Sequence, residues 1–415
     1  MKKIILKVLK YFAFTVLALL ITVNLFIVLS GRFYLYKGVA NTYLVGKTGP
    51  TIYDLDVFYY STVAAPDEMA VIPEHANYNK VEITKEDRKF LDDLETKALL
   101  VFKGDSLMYE EYWGEHTKET VSNSFSVAKT LVALLISIAV EDGKIKSLDE
   151  SVANYIPEFK KGGKEVITIR HLLAMSSGLD WEESGKNPLS DNAESYYGGD
   201  LYGHVTRQKL ERSPGKLFKY QSGNSQLLGF IIEKATGKDL SEYAEEKIWK
   251  KIGAEHDAYW SLDKELGDEK AFCCMYATAR DYGRLGQLIL NKGKYNGEQI
   301  FPLWYYHEMV SPSALNTEDG IKNSRYGLHI WTYMDEASQV NYCRGIKGQY
   351  IITIPEEDLL IIRLGSERTD QFKLPEDKKN DEKFIAENKH KIGHSYGLFE
   401  YIALGKRIKE KTEKR

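Results

Sequence analysis

Ser126-Val127-Ala128-Lys129, with the apolar run Thr130–Val140 behind it, is the stretch around which the chain is organised. Residues three apart share one face of a helix, so the pattern predicts Ser126 and Lys129 side by side at the start of a helix. That helix has almost no polar face, which implies burial. A serine hydroxyl is a weak nucleophile at neutral pH and needs a neighbouring base. Lysine becomes that base when burial or nearby positive charge lowers its pKa. The helix amino terminus adds backbone N–H groups where negative charge would develop on a reacting carbonyl. The competing reading is a helix-capping serine with a surface lysine.

Ser-x-x-Lys recurs at Ser213–Lys216 and Ser261–Lys264. The first encloses Pro214-Gly215 and cannot be a regular helical turn. The second runs into Glu265, Gly267, Asp268 and Glu269, a solvated loop. Only Ser126 is backed by a core helix.

With 415 residues, 43% of them hydrophobic, the chain can bury a large core, expected in two lobes. The formal net charge of −4 hides an asymmetry: residues 1–32 hold five Lys/Arg and no acid, leaving 51 basic against 60 acidic side chains in the remainder. That balance excludes a nucleic-acid surface. Cys273, Cys274 and Cys343 form no metal-spaced cluster. Adjacent cysteines rarely bond to each other; a pairing of one of them with Cys343 is the alternative to buried free thiols, which are the simpler expectation.

Lys2, Lys3, Lys7 and Lys10 precede 21 uncharged residues, Tyr11 to Gly31. That length spans a bilayer core as a helix, and the basic flank places the N-terminus in the cytoplasm and the body outside. A cleaved signal peptide is the rival, but no Ala-x-Ala site directly follows the run. The chain is expected to divide into this anchor (1–31), an extended segment (32–84) lying on the catalytic body, and a catalytic domain (85–408).

Residues 85–97 read as a charged surface helix. Leu99–Phe102 and Leu107–Trp113 alternate about Lys103-Gly104-Asp105-Ser106 and predict a β-hairpin. From about 142 to 270 the pattern is helices and loops. Ile167–Leu173 opens a short helix that stops at Gly178. Gly185–Gly203 reads as a long loop of the kind that borders binding sites, with Tyr196, Tyr197 and Tyr202 either lining a cleft or packing at the surface. Residues 271–310 read as helical, with Tyr282–Asn291 as one clear helix. Leu328–Tyr333, Gln339–Arg344, Tyr350–Ile354 and Leu359–Leu364 are strands of an antiparallel sheet. Residues 370–393 read as a mobile, charged loop, and Leu398–Ile408 as a closing amphipathic helix. Strands early and late with helices between them predict an α+β fold. One antiparallel sheet comes from both chain ends, flanked by helices, with an all-helical lobe inserted and the Ser126 helix at the junction, where clefts form.

Two later stretches complete a site. Pro214–Asn224 delivers Tyr220 and Ser222 just ahead of a buried helix. A phenol beside a lysine ammonium has its phenolate favoured and can pass a proton, while Ser222 relays protons or holds substrate. The alternative for Tyr220 is an amphipathic core tyrosine. In Cys343-Arg344-Gly345-Ile346-Lys347-Gly348-Gln349, glycines let a substrate lie against the strand edge, and the Ile346 N–H is a second oxyanion donor opposite that of Ser126. A plain β-turn is the alternative.

In order, Ser-Val-Ala-Lys, Leu-Leu-Ala-Met-Ser-Ser-Gly-Leu, Pro-Gly-x-x-Phe-x-Tyr-x-Ser and Gly-Ile-Lys-Gly-Gln resemble the penicillin-recognising serine hydrolases of the class C β-lactamase-like branch. The Tyr-x-Ser variant and the Gly-x-x-Gly-Gln ending are similar to the 6-aminohexanoate-dimer hydrolases and related esterases. The likeness covers about residues 90–365 and the closing helix. It implies a β-lactamase-like fold and hydrolysis through an acyl-enzyme, without metal or cofactor. It also implies Ser126 as nucleophile, Lys129 as its partner, Tyr220 as acid/base, and Ser126 and Ile346 N–H groups as the oxyanion hole. Gly345, Gly348, Gln349 and Ser222 would border the substrate. Where the family usually carries Lys-Thr-Gly the chain has Cys343-Arg344-Gly345, so the usual cation for a substrate carboxylate is missing or replaced by Arg344 or Lys347. This favours a linear amide or ester over penicillin. The alternatives are a β-lactamase or D-Ala-D-Ala carboxypeptidase, and a silent ligand-binding sensor with the same fold.

Overall fold

The computed structural model describes residues 1–335 and 338–414. Its central sheet has six strands: β1 (Thr96–Lys103), β2 (Ser106–Tyr112), β3 (Trp331–Asp335), β4 (Ser338–Gly345), β5 (Gln349–Ile354) and β6 (Leu359–Gly365). They lie in the order β3-β4-β5-β6-β1-β2, all neighbours antiparallel. The two chain ends therefore meet at the β6–β1 seam, where Leu360 pairs with Phe102 and Ile362 with Leu100.

Seven helices matter to the site and its setting: α1 (Lys2–Ser30), α2 (Tyr34–Asn41), α3 (Ala128–Glu141), α4 (Asp191–Tyr197), α5 (Ser222–Thr236), α6 (Ala279–Leu290) and α7 (Tyr396–Glu413). Side chains alternate across a strand, and the core divides accordingly. Ala98, Leu100 and Phe102 of β1 join the core that holds α3 and α6. Leu99 and Val101 join the one that holds α7 through Leu398, Tyr401 and Ile402. A Cβ on Gly286 of α6 would stand 2.5 Å from Leu360 of β6, so glycine sets how closely that helix sits on the sheet.

Every residue of α3 from Ala128 to Ala139 is buried. With each fully buried Leu, Ile or Val worth roughly 1.5–3 kcal/mol, this helix is the spine of the core; the stretch 142–270, expected to be all helical, also holds the strands Leu217–Phe218 and Ala258–Ser261. α5 packs beside α3 within the same core.

Four stretches depart from expectation. The charged helix before β1 stops at Asp93, and Thr96 already belongs to the strand. Residues 32–80 include α2 and a strand, Tyr60–Val63, which begins a second antiparallel sheet continued by Ala258–Ser261, Met275–Ala277 and Ser122–Asn123. Gly185–Gly203 holds α4 and the start of a second short helix, Leu201–Thr206, whose first turns are capped by the Ser190 and Asp200 side chains. Residues 370–393 include a helix, Glu382–Asn388, capped by Asp381. Short capped helices have too few turns to show periodicity, which is why they read as loops. The cysteines also differ: Cys273 and Cys274 are disulfide-bonded, with Cys274 at φ +67°, while Cys343 is a buried thiol.

Candidate active site

Ser126 lies in a 3₁₀ turn, Phe125–Val127, that runs directly into α3. Phe125 is held at φ +46°, a conformation most side chains avoid. Its N–H donates to the Asn123 side chain (2.8 Å), and the Ser124 N–H donates to the Met275 carbonyl (2.8 Å). The start of the turn is thus tied to the second sheet, and the Ser126 side chain lines a cleft.

Lys129, one turn on, is 2% exposed. Its Nζ donates to Ser126 Oγ at 3.0 Å and to the Phe272 carbonyl at 2.5 Å. Burial lowers its pKa to about 8, opposed by the charge of Glu183. An amine held this way is neutral for a useful fraction of the time near pH 7, as a base must be.

Tyr220 comes from the turn before α5. The Lys129 ammonium lies 5.3 Å from its ring centroid, and its phenol interacts with the Ser126 hydroxyl. Hydroxyl, amine and phenol therefore meet, although 94 residues separate the first from the last. Contrary to expectation, the phenol is held well above its ordinary pKa. Burial dominates and Glu183 adds to it, against opposing pulls from Ser126, Arg344 and Arg368. The phenol, not the phenolate, is the resting form.

The third component is the end of β4. A Cβ on Gly345 would stand 2.3 Å from the Ser124 carbonyl, so only glycine lets this strand approach the serine turn. Ile346 follows at once, and both residues line the cleft. Lys347 then adopts φ +60° and Gly348 φ +84° to reverse the chain into β5.

Three expected substrate contacts lie elsewhere. Ser222 is 1% exposed, and its N–H (2.6 Å) and hydroxyl (2.7 Å) both donate to Glu183. Gln349 is fully buried and staples the turn, donating to the Ile346 (3.1 Å) and Gly365 (2.7 Å) carbonyls. Gly348 is buried beside the Arg363 guanidinium. All three support the site from behind. Tyr196, Tyr197 and Tyr202 also miss the cleft: the first two pack on Phe58, and the third on Phe230 with its hydroxyl on Glu158.

The cleft itself encloses about 700 Å³. Trp331 forms one wall, stacked on Tyr220 (centroids 5.5 Å), with the Arg344 guanidinium 3.6 Å above its ring. Arg344 also donates to the Gly393 carbonyl (3.1 Å), which ties the 370–393 segment to the rim. Lys347 points instead to the Ser366 carbonyl (3.3 Å), leaving Arg344 as the cation of this strand in the cleft. Arg368 stands near it, its pKa lowered by the surrounding protein and by Arg344.

Glu183, Arg368 and Trp331 were not singled out from the sequence. Glu183 accepts from Trp181 Nε1 (2.8 Å) as well as from Ser222, and it borders the cleft. Its only signal was its place just ahead of a stretch read as a loop. Arg368 sits between strand and charged loop with no motif around it.

The profile of the Beta-lactamase family matches residues 88–383. The chain is 24% identical over 293 residues to a 6-aminohexanoate-dimer hydrolase of Paenarthrobacter ureafaciens, covering 66% of this chain and 74% of that one. It is 26% identical over 295 residues to an N-acetylmuramyl-L-alanine amidase of Bacillus subtilis, covering 58% and 66%. A solved Bacillus anthracis structure, provisionally named a 6-aminohexanoate-dimer hydrolase, superposes with a TM-score of 0.69 at 25% identity, over 83% of this chain and 94% of that one. With this fold and this match, the chain belongs to the β-lactamase family and is a serine hydrolase of the amidase/esterase type.

Proposed function

We propose that the protein cleaves an amide or ester through an acyl-enzyme on Ser126. The observation that carries this reading is the 3.0 Å contact between Ser126 Oγ and a fully buried Lys129 at the floor of the cleft. In the neutral state Lys129 takes the Ser126 proton as Oγ bonds to the substrate carbonyl carbon. The N–H groups of Ser126 and Ile346 receive the oxyanion. The tetrahedral adduct collapses, the C–N or C–O bond breaks, and the leaving group takes a proton delivered from Lys129 through the Tyr220 phenol. Water then enters, gives its proton along the same route and releases the acid. A protonated Tyr220 suits a carrier between amine and leaving group better than a standing base. Arg344 and Arg368 accept a carboxylate on the substrate, charge-assisted and on one side of the scissile bond.

A fluorophosphonate probe is expected to label the wild type and not Ser126→Ala; labelling that survives the change defeats the assignment.

The helix α1 is long and apolar enough to cross a membrane. We read it as a retained anchor, with the catalytic body outside. The Cys273–Cys274 bond supports an oxidising compartment for that body. Separation of intact cells, membranes and medium tests this: a full-length chain in the membrane fraction, digestible by protease from outside, is the expected result.

A further inference from the structure

The segment that follows α1 is an elbow with two unlike faces. On one face α2 is fastened to the body. The Tyr34 hydroxyl donates to the Pro188 carbonyl (3.0 Å), Arg32 donates to the Leu189 carbonyl (3.1 Å), and Gly38 rests on the Tyr197 ring. On the other face Phe33, Tyr36 and Val39, three residues apart, stand exposed, and Tyr43, Leu44 and Val45 continue the row. Leu44 is 76% exposed and Tyr43 70%. So dense an apolar row on a surface calls for something to cover it.

A contact within the elbow indicates what covers it. The Tyr36 hydroxyl donates to Asn24 Oδ1 at 2.7 Å. Asn24 lies in α1, seven residues before Gly31, or about 10 Å down the helix axis. The elbow thus folds back alongside the last turns of the apolar helix, and its exposed row shares their level. Aromatic and aliphatic residues at that level suit the interfacial layer of a bilayer, where rings meet headgroups.

The fastened face leads to the site. The loop held by Tyr34 and Arg32 belongs to the wall whose residues Trp181, Glu183, Gly185 and Asn192 border the cleft, and Asn192 lies in α4, the helix against α2. We infer that the exposed face of residues 33–45 lies in the lipid headgroup layer and holds this wall of the cleft at the membrane surface, so that the substrate is an amphiphilic amide or ester drawn from the bilayer. The substrate class rests on the serine hydrolase reading; the seating of the elbow does not.

The test uses the full chain in phosphatidylcholine vesicles with one-fifth phosphatidylglycerol. Leu44→Cys carrying an NBD label is read for depth. Blue-shifted emission, quenched at least twofold by lipids doxyl-labelled near the headgroup, is expected; water-like emission without quenching overturns the seating. Turnover is then compared on p-nitrophenyl acetate in solution and p-nitrophenyl laurate dissolved in the vesicles. Leu44→Asp with Val45→Asp is expected to lower laurate turnover at least tenfold and leave acetate turnover unchanged. Equal effects on both esters, or none, overturn the amphiphile assignment. A wild type that cleaves neither ester, and is not labelled by the fluorophosphonate, removes the hydrolase reading and the substrate class with it, while the label depth still decides the elbow.

Discussion

The floor and the rim of the cleft are built by different rules. The floor, residues 124–130 and 343–349, is fixed by main-chain hydrogen bonds, buried side chains and the close approach of Gly345 to Ser124. The rim, drawn from 181–192, 318–331 and 368–393, carries Glu182, Glu318, Asp319, Glu376, Arg325, Arg368, Lys373 and Lys379, on short helices and turns. A rigid floor holds reacting groups within the tolerance that proton transfer demands. A charged rim on loops can vary without disturbing it. On the proposed mechanism, reaction type resides in the floor and substrate choice in the rim.

The largest expected effects lie at the floor. Tyr220→Phe and Lys129→Met should each lower turnover by about two to four orders of magnitude, the range for acid–base groups, measured as kcat on an activated ester. Near-normal rates in both would remove them from the mechanism. Lys129→Met should at the same time raise thermal stability. The fall of the Lys129 pKa from 10.5 to about 8 stands for about 3 kcal/mol against the charged form in the folded state. The group is charged in both states below pH 8, so that cost is fully present there. It fades as pH rises from about 8 towards 10.5, and wild-type stability should gain over that window. In the free enzyme kcat/KM should rise about tenfold per pH unit up to about pH 8 and then level.

Gly345→Ala comes next. The added methyl meets the Ser124 carbonyl at 2.3 Å, so strand or serine turn must shift. Loss of an oxyanion donor costs about 10²–10³ in kcat, and a fall of at least tenfold is expected with the fold retained by circular dichroism. A smaller and selective effect is expected where floor and rim meet, at Arg344 and Arg368. Arg344→Gln or Arg368→Gln should raise KM about tenfold for carboxylate-bearing substrates and leave neutral esters alone; equal changes for both would assign these side chains to structure instead. The smallest effect is that of Glu183→Gln. Removing a negative charge that opposes the lowering of the Lys129 pKa should move the acid limb of the rate profile to lower pH. An unmoved limb would confine Glu183 to holding Ser222 and Trp181.

The floor was legible in the sequence because its parts obey local rules. Helical spacing joined Ser126 to Lys129, the apolar run announced α3, and alternation announced the hairpin and the late strands. The rim was not. Glu183 reaches the site through Ser222, a partner 39 residues away, and Arg368 through proximity to Arg344, with strands β5 and β6 between them in sequence. Such placements depend on tertiary packing, which no periodicity encodes. Ser222 and Gln349 show the opposite error. Both stand inside telling motifs, yet their side chains turn to Glu183 and to main-chain carbonyls, because a tight turn must satisfy its own polar groups first. The Tyr220 phenol was misjudged for a related reason: the nearby ammonium could be foreseen, but not the extent of burial.

The bridge between Cys273 and Cys274 begins one residue after Phe272, whose carbonyl holds the Lys129 amine. Material harvested from a reducing cytosol would carry two thiols at that spot, and material secreted through an oxidising route would carry the closed ring. Two laboratories expressing the same gene by those two routes would then be assaying different catalysts, and the discrepancy would follow the choice of host compartment.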